Sequence, residues 1–222
     1  MMLERLVEDS AWLFDFGFPL RRVEPNGNPR SPDGWRLSEV HQLPGLNRLS
    51  QSERQHQARM GWDDTGIYLE LDIPMGKRQD SWRLQGETIV HFFIDTRSSP
   101  GIHRGNANCH QFDFQMLSKL DDTVDRSRMD SRLVKLTRAI AHPNPVDDDD
   151  LHGWFSASAD LVQTKVFIGQ AALTGFNPRE FNEIGVYYFL IDPQYRRFSM
   201  ARLSHAIPWE DPSLWSRARL VD

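Results

Sequence analysis

Along this chain, apolar residues recur at every second position in short runs, and the runs close on Gly, Pro, Asn or Asp. That is the pattern of half-buried strands joined by turns. In TIVHFFID (88–95), Val90, Phe92 and Ile94 share one phase, while Ile89, His91 and Phe93 share the other. In HQFDFQM (110–116), Phe112, Phe114 and Met116 point one way and Gln111, Asp113 and Gln115 the other. HQARMGW and GIYLELDI flank the short DDT turn and predict a hairpin. Further strands are predicted in RLVKLTRAI, GWFSASADL, TKVFIGQAAL, IGVYYFLID, RFSMARL and RARLV. Helical spacing is confined to MMLERLV at the start and one or two turns in NPREFNEI. Many short strands and few helices predict an all-β fold, a two-sheet antiparallel β-sandwich of immunoglobulin-like or jelly-roll-like type. Val90, Phe92, Ile94, Phe112, Phe114 and Met116 are its expected core face.

A length of 222 residues suits a single domain with a sizeable core. Residues 55–222 are expected to form the sandwich, and 1–54 an extension of strand and loop packed on it. The net charge of −5 is mild and the charges are interspersed, which speaks against a nucleic-acid partner. Asp147 to Asp150, between prolines and a glycine, read as a solvated loop rather than a calcium site. One cysteine excludes an internal disulfide framework. The opening residues carry Glu4, Glu8 and Asp9 among their apolar positions, so no signal peptide is expected and the cytoplasm is the expected compartment. No run approaches the ~18 apolar residues of a membrane span, so no membrane partner is expected.

Candidate chemistry is densest in IDTRSSPGIHRGNANCHQFDF, residues 94–114. A metal site there would use His91, His103, Cys109 and His110, with Asp95 or Asp113. The short paired ligand spacings of zinc sites are missing, and adjacent Cys109 and His110 project to opposite faces of a strand. A nucleophilic Cys109 would need His103 or His110 as its base in an open cleft. The plainer expectation is a structural loop in which Asp95, Arg97, His103 and Arg104 make hydrogen bonds and ion pairs. Asp121, Asp122, Asp125 and Asp130 lie in a uniformly polar segment, unlike the contrasting environments that acid–base pairs require. Met60, Met75 and Met116 with His91 or His110 could supply Met/His haem ligation, but no C-x-x-C-H attachment is present.

The order ARMGWDDTGIYLELDI, SWRLQGETIVHFFIDTR, FIGQAALTGF, IGVYYFLID and IPWEDPSLWSRARLV resembles the family-9 carbohydrate-binding modules over roughly residues 55–222. It also resembles the wider DOMON-like sandwiches, which bind sugars or haem. The resemblance implies a β-sandwich and, in the sugar-binding members, two tryptophans that clamp a terminal sugar. Trp82, in the polar stretch KRQDSWRLQGE, and Trp209, in the loop IPWEDPS, fit those positions. This chain departs from the family at Asp113, where an arginine is usual, and at Gly86-Glu87, where an Asp-Ser pair is usual. A carboxylate accepts hydrogen bonds and cannot replace a guanidinium donor. The polar rim is therefore expected from Glu87, Gln111, Asp113 and Gln115. The expectation is a non-catalytic module with a saccharide as partner and with no catalytic residue, metal or cofactor. The alternatives are a scaffold or protein-interaction sandwich without a sugar site and a haem-binding redox domain of DOMON-like type.

Overall fold

The computed structural model describes residues 17–44, 56–74, 88–99, 101–116, 127–158, 161–191, 197–200 and 208–222. Among them, strands β1 (Gly17–Arg21), β2 (Gln57–Asp63), β3 (Gly66–Pro74), β4 (Thr88–Asp95), β5 (Cys109–Met116) and β6 (Ser127–Arg128) form the first half of the chain. The second half holds β7 (Asp130–Val134), β8 (Leu151–Ala157), β9 (Leu161–Gly169), β10 (Glu183–Ile191), β11 (Arg197–Ser199) and β12 (Ser216–Val221). The larger sheet runs β1-β12-β10-β4-β5-β7, with β11 also paired to β10. The smaller runs β2-β3-β9-β8-β6. All pairings are antiparallel except the edge pair β1 and β12, which is parallel. The architecture is the two-sheet all-β sandwich that the alternation predicts.

The phases read from the sequence are the phases of the sheet. Val90, Phe92, Ile94, Phe112 and Phe114 are fully buried and Met116 nearly so. They meet Leu69, Leu71, Val162, Val166 and Ile168 of the smaller sheet in one continuous core. Burying rings of this size is worth roughly 1.5–3 kcal/mol each, which is why a one-residue slip of either strand is not tolerated.

The β2–β3 hairpin forms as expected. Asp63 Oδ1 accepts from the backbone N–H of Thr65 at 2.7 Å and of Gly66 at 3.1 Å, closing the turn. A Cβ on Gly66 would lie 2.1 Å from the Ile168 carbonyl oxygen, so the close approach of β9 requires glycine. NPREFNEI contributes one hydrogen-bonded turn, with Phe181 N–H donating to Asn177 O at 2.9 Å. The strand expected across RLVKLTRAI stops at Val134, and the chain turns at Arg138, which has φ 63°. The predicted N-terminal helix MMLERLV lies outside the described residues.

Each sheet carries a partial cover on its outer face. Residues 23–41 cross the smaller sheet, where Val23, Trp35 and Leu37 pack on Tyr68 and Phe167 in a second apolar cluster. The C-terminal stretch 208–215 crosses the larger sheet, placing Trp215 against Phe93 and Trp209 against Phe189.

Candidate functional site

Where β4, β5 and β10 run side by side, the outer phase of the larger sheet brings polar and aromatic groups together. His91 is registered with Asp113 on one side and Phe189 on the other, and Asp113 with Arg132 of β7. His91 Nδ1–H donates to Asp113 Oδ1 at 2.8 Å. Gln111 Nε2 donates to the same oxygen at 3.1 Å, and Arg132 lies 3.7 Å from Asp113 Oδ2. Burial opposes ionisation of Asp113, but the His91 bond and charge, Gln111 and Arg132 outweigh it and hold the carboxyl below its ordinary pKa. The ionised carboxylate therefore orients its three neighbours.

Next to this polar group is an aromatic floor. The His91 and Phe189 rings lie 4.4 Å apart, Phe189 stacks on Phe93 at 5.7 Å, and Trp209 tilts over Phe189 at 5.5 Å. Trp209 is only half-buried, and Arg132 is 60% exposed. Phe93 and Phe189 are buried, so the half-buried Trp209 indole is what this aromatic group presents beside the fixed polar side chains, an apolar group next to hydrogen-bonding ones as in many small-molecule sites.

The dense stretch 94–114 supports this face. Asp95 accepts from the backbone of Arg97 and Ser99. The Arg97 guanidinium lies 3.5 Å from the Phe181 ring centroid, and Arg104 Nε–H donates to the Arg138 carbonyl at 2.8 Å. His103 reaches Asp211 at 3.1 Å, so the 101–110 loop braces the loop that carries Trp209. Asp211 Oδ1 in turn accepts from the Ser213 N–H, capping a short 3-10 turn. Arg138 adds a second brace to Glu210 at 3.5 Å. All four residues expected to tie the loop down make such contacts.

Other readings of the same residues lack their geometry. Burial, then the nearby Asp95 charge, pushes the Cys109 thiol up to about 12, and its Sγ faces Asn106 Oδ1 at 3.7 Å. A thiol so protonated is a poor nucleophile. Both ring nitrogens of His110 are engaged: Nδ1–H donates to Ile94 O at 3.3 Å and Nε2 accepts from Thr174 N–H at 2.9 Å. Burial holds that imidazole neutral, with its pKa lowered to about 4. Met60 and Met116 sit in the core, whereas His91 is on the outer face of the larger sheet, so these residues do not assemble a Met/His ligand pair. Among the described residues, no group of three or more His, Cys, Asp and Glu side chains is arranged to hold a metal.

Of the rim residues expected from sequence, Gln111, Asp113 and Gln115 share the outer phase of β5, with Asp113 beneath the rim rather than on it. Trp209 stands beside them through Phe189. Trp82 and Glu87 lie outside the described residues, as do Asp121, Asp122, Asp125 and Met75. Sequence reasoning missed His91 and Arg132 as partners of Asp113. His91 was visible on the outer phase of its strand, but Arg132 joins the group only through the β5–β7 register.

No protein-family model and no curated protein matches this chain in sequence. Among solved structures, its fold is similar to a family 9 carbohydrate-binding module from Caldicellulosiruptor kristjanssonii in complex with cellotriose, with a TM-score of 0.52 and 11% identity over 92% of this chain and 93% of the other. The same kind of module from that organism in complex with glucose gives a TM-score of 0.54 and 11% identity over 93% and 96% of the two chains. The chain therefore has the fold of a carbohydrate-binding module of that family along nearly its whole length.

Proposed function

We propose that this protein is a non-catalytic saccharide-binding module whose sugar lies on the outer face of the larger sheet. The observation that carries the reading is the juxtaposition of the ordered His91–Asp113–Arg132 group with the Phe189–Trp209 surface. A pyranose offers C–H groups on its faces and hydroxyls at its rim; an indole suits the first and fixed polar side chains the second. The two structures of like fold, in complex with cellotriose and with glucose, support this ligand class.

Arg132 bears on the main departure from the family pattern. Where the family resemblance leads one to expect an arginine on β5, this chain has Asp113, but the neighbouring strand supplies a guanidinium 3.7 Å away. In this reading donor capacity toward sugar hydroxyls comes from the neighbouring strand, on the other side of Asp113 from His91. Gln111 and Gln115 complete the rim in this reading; Trp82 and Glu87, which the family resemblance assigns to the clamp and the rim, lie outside the described residues. The changed donor geometry selects a hydroxyl pattern unlike that of the relatives.

The test is intrinsic tryptophan fluorescence during titration with glucose, cellotriose and a panel of other mono- and oligosaccharides. A saturable response is expected for at least one monosaccharide, and Trp82→Ala or Trp209→Ala should abolish that response. Absence of any response across the panel, with the fold intact, would leave the scaffold or protein-interaction reading in its place.

A further inference from the structure

On the opposite side of the molecule, the smaller sheet carries an open cleft of about 840 Å³ between its outer face and the 26–39 segment. Its floor is two transverse rows set by strand register. One row is Arg59, Glu70, Lys165 and Trp154; the other is Asp72, Gln163 and Ser156. The first row crosses four strands at ~4.8 Å per step, so it spans about 14 Å. That is longer than a single hexose ring and suits several units of a chain.

The charges along the rows cancel. Arg59 is 2.7 Å from Asp72 and 3.9 Å from Glu70, and Lys165 is 3.5 Å from Glu70. Gln163 Nε2 donates to Asp72 Oδ1 at 2.9 Å. Lys165 also donates to the carbonyls of Pro32 and Trp35, both at 2.6 Å, and sits 4.3 Å from the Trp35 ring centroid. With both cations matched by carboxylates, the floor selects neither a phosphate nor a metal ion. Its fixed carboxylates, guanidinium, amide and hydroxyl are the groups that bond vicinal hydroxyls. At the end of the first row the half-buried Trp154 indole lines the cleft, with His152 stacked parallel to it at 5.7 Å.

We propose that this cleft is a second saccharide site, taking an internal stretch of a neutral glycan between its floor and the 26–39 segment. It is separate from the face that carries the proposed function, so one chain could hold two glycan segments on opposite sides.

The experiment is isothermal titration of the full chain with cellohexaose, xylohexaose and mannohexaose, in wild type and in Trp209→Ala to silence the larger sheet. At least one hexasaccharide should bind Trp209→Ala at one equivalent, and more than tenfold more tightly than glucose does. Adding Trp154→Ala should weaken that association at least tenfold; adding Gln163→Ala, a surface change that keeps the fold, should weaken it several-fold. The proposal is overturned if none of the three binds Trp209→Ala, or if the Gln163 change leaves the affinity as it was. Failure of the first site alone reads differently: the Trp209 change would then have no effect, while the cleft variants would remove the binding.

Discussion

The two outer faces of this sandwich start from the same pattern, alternate strand residues left over once the core is filled, and reach different surfaces. On the larger sheet, the polar residues converge on one carboxylate: Asp113 is bonded or paired to His91, Gln111 and Arg132. On the smaller sheet they spread into charge-balanced rows. The covers differ too. A C-terminal loop leaves Trp209 half-buried beside the convergent group, whereas the 23–41 segment buries Trp35 and leaves a trough next to it. A convergent group suits one ring held from several sides; a row suits a chain lying across strands. The arrangement of outward-facing groups is thus set by where the loops land on a face, even when the strand alternation is alike.

The largest expected effect comes from the core that both faces share. Phe92→Ala should lower unfolding stability by about 3–5 kcal/mol in denaturant titration. Because Phe92 touches neither ligand surface, the protein that remains folded should keep the affinity of both. Selective loss at one face would mean that the faces are more independent of the core than the packing indicates.

Acid should act next. His110 is held neutral in the fold, with its pKa lowered to about 4 from 6.5 by burial. Its contribution to stability is complete above pH 6.5, where neither state binds the proton. As pH falls from 6.5 toward 4 the unfolded chain takes up a proton that the folded chain refuses, costing about 1.4 kcal/mol per pH unit and about 3 kcal/mol across the window. Chemical denaturation at pH 7.5, 5.5 and 4.5 should show this slope. His110→Gln should reduce it by about one proton's share, leaving the part due to His56, which burial also lowers to about 4, though the change costs some stability at neutral pH. A slope unchanged in that variant would assign the effect to other groups.

Asp113→Ala sharpens the comparison directly. It leaves His91, Gln111 and Arg132 without their common acceptor and should cost about 1–3 kcal/mol. Saccharide binding on the larger sheet should fall at least tenfold while binding in the cleft is untouched. Equal losses at the two would show that they are not separate sites.

The smallest effect has the opposite sign. Thr164 is 1% exposed and, among the described residues, its hydroxyl is the one buried side-chain polar atom without a hydrogen-bond partner. It shares the core phase of β9 with Val162 and Val166, so Thr164→Val should stabilise the sandwich by about 1 kcal/mol. A rise in the unfolding midpoint with both affinities preserved is the expected result. A fall would mean that the hydroxyl has a partner in the folded protein.

Strand identity and strand phase were legible in the sequence because a pleated strand alternates locally: which of Phe92 and His91 faces the core follows from their immediate neighbours. The β2–β3 turn was legible for the same reason, since Asp63 and Gly66 satisfy it within a few residues. The overestimated strand after Val134 shows the limit, because apolar alternation continues to Ile140 while the chain turns at Arg138. The polar residues of β5 could be named as one face, yet nothing local distinguished Asp113 as the centre of a group. That depended on β7 pairing with β5 so that Arg132 stands beside Asp113, and on β10 lying next to β4 so that Phe189 meets His91. The Arg59–Glu70–Lys165–Trp154 row likewise draws on four strands spread over more than ninety residues. Sequence alone determined the class of fold, the strands and the core face. Tertiary structure decided which outward-facing residues became neighbours, because register and sheet order arise from pairing between distant segments and leave no local periodic trace.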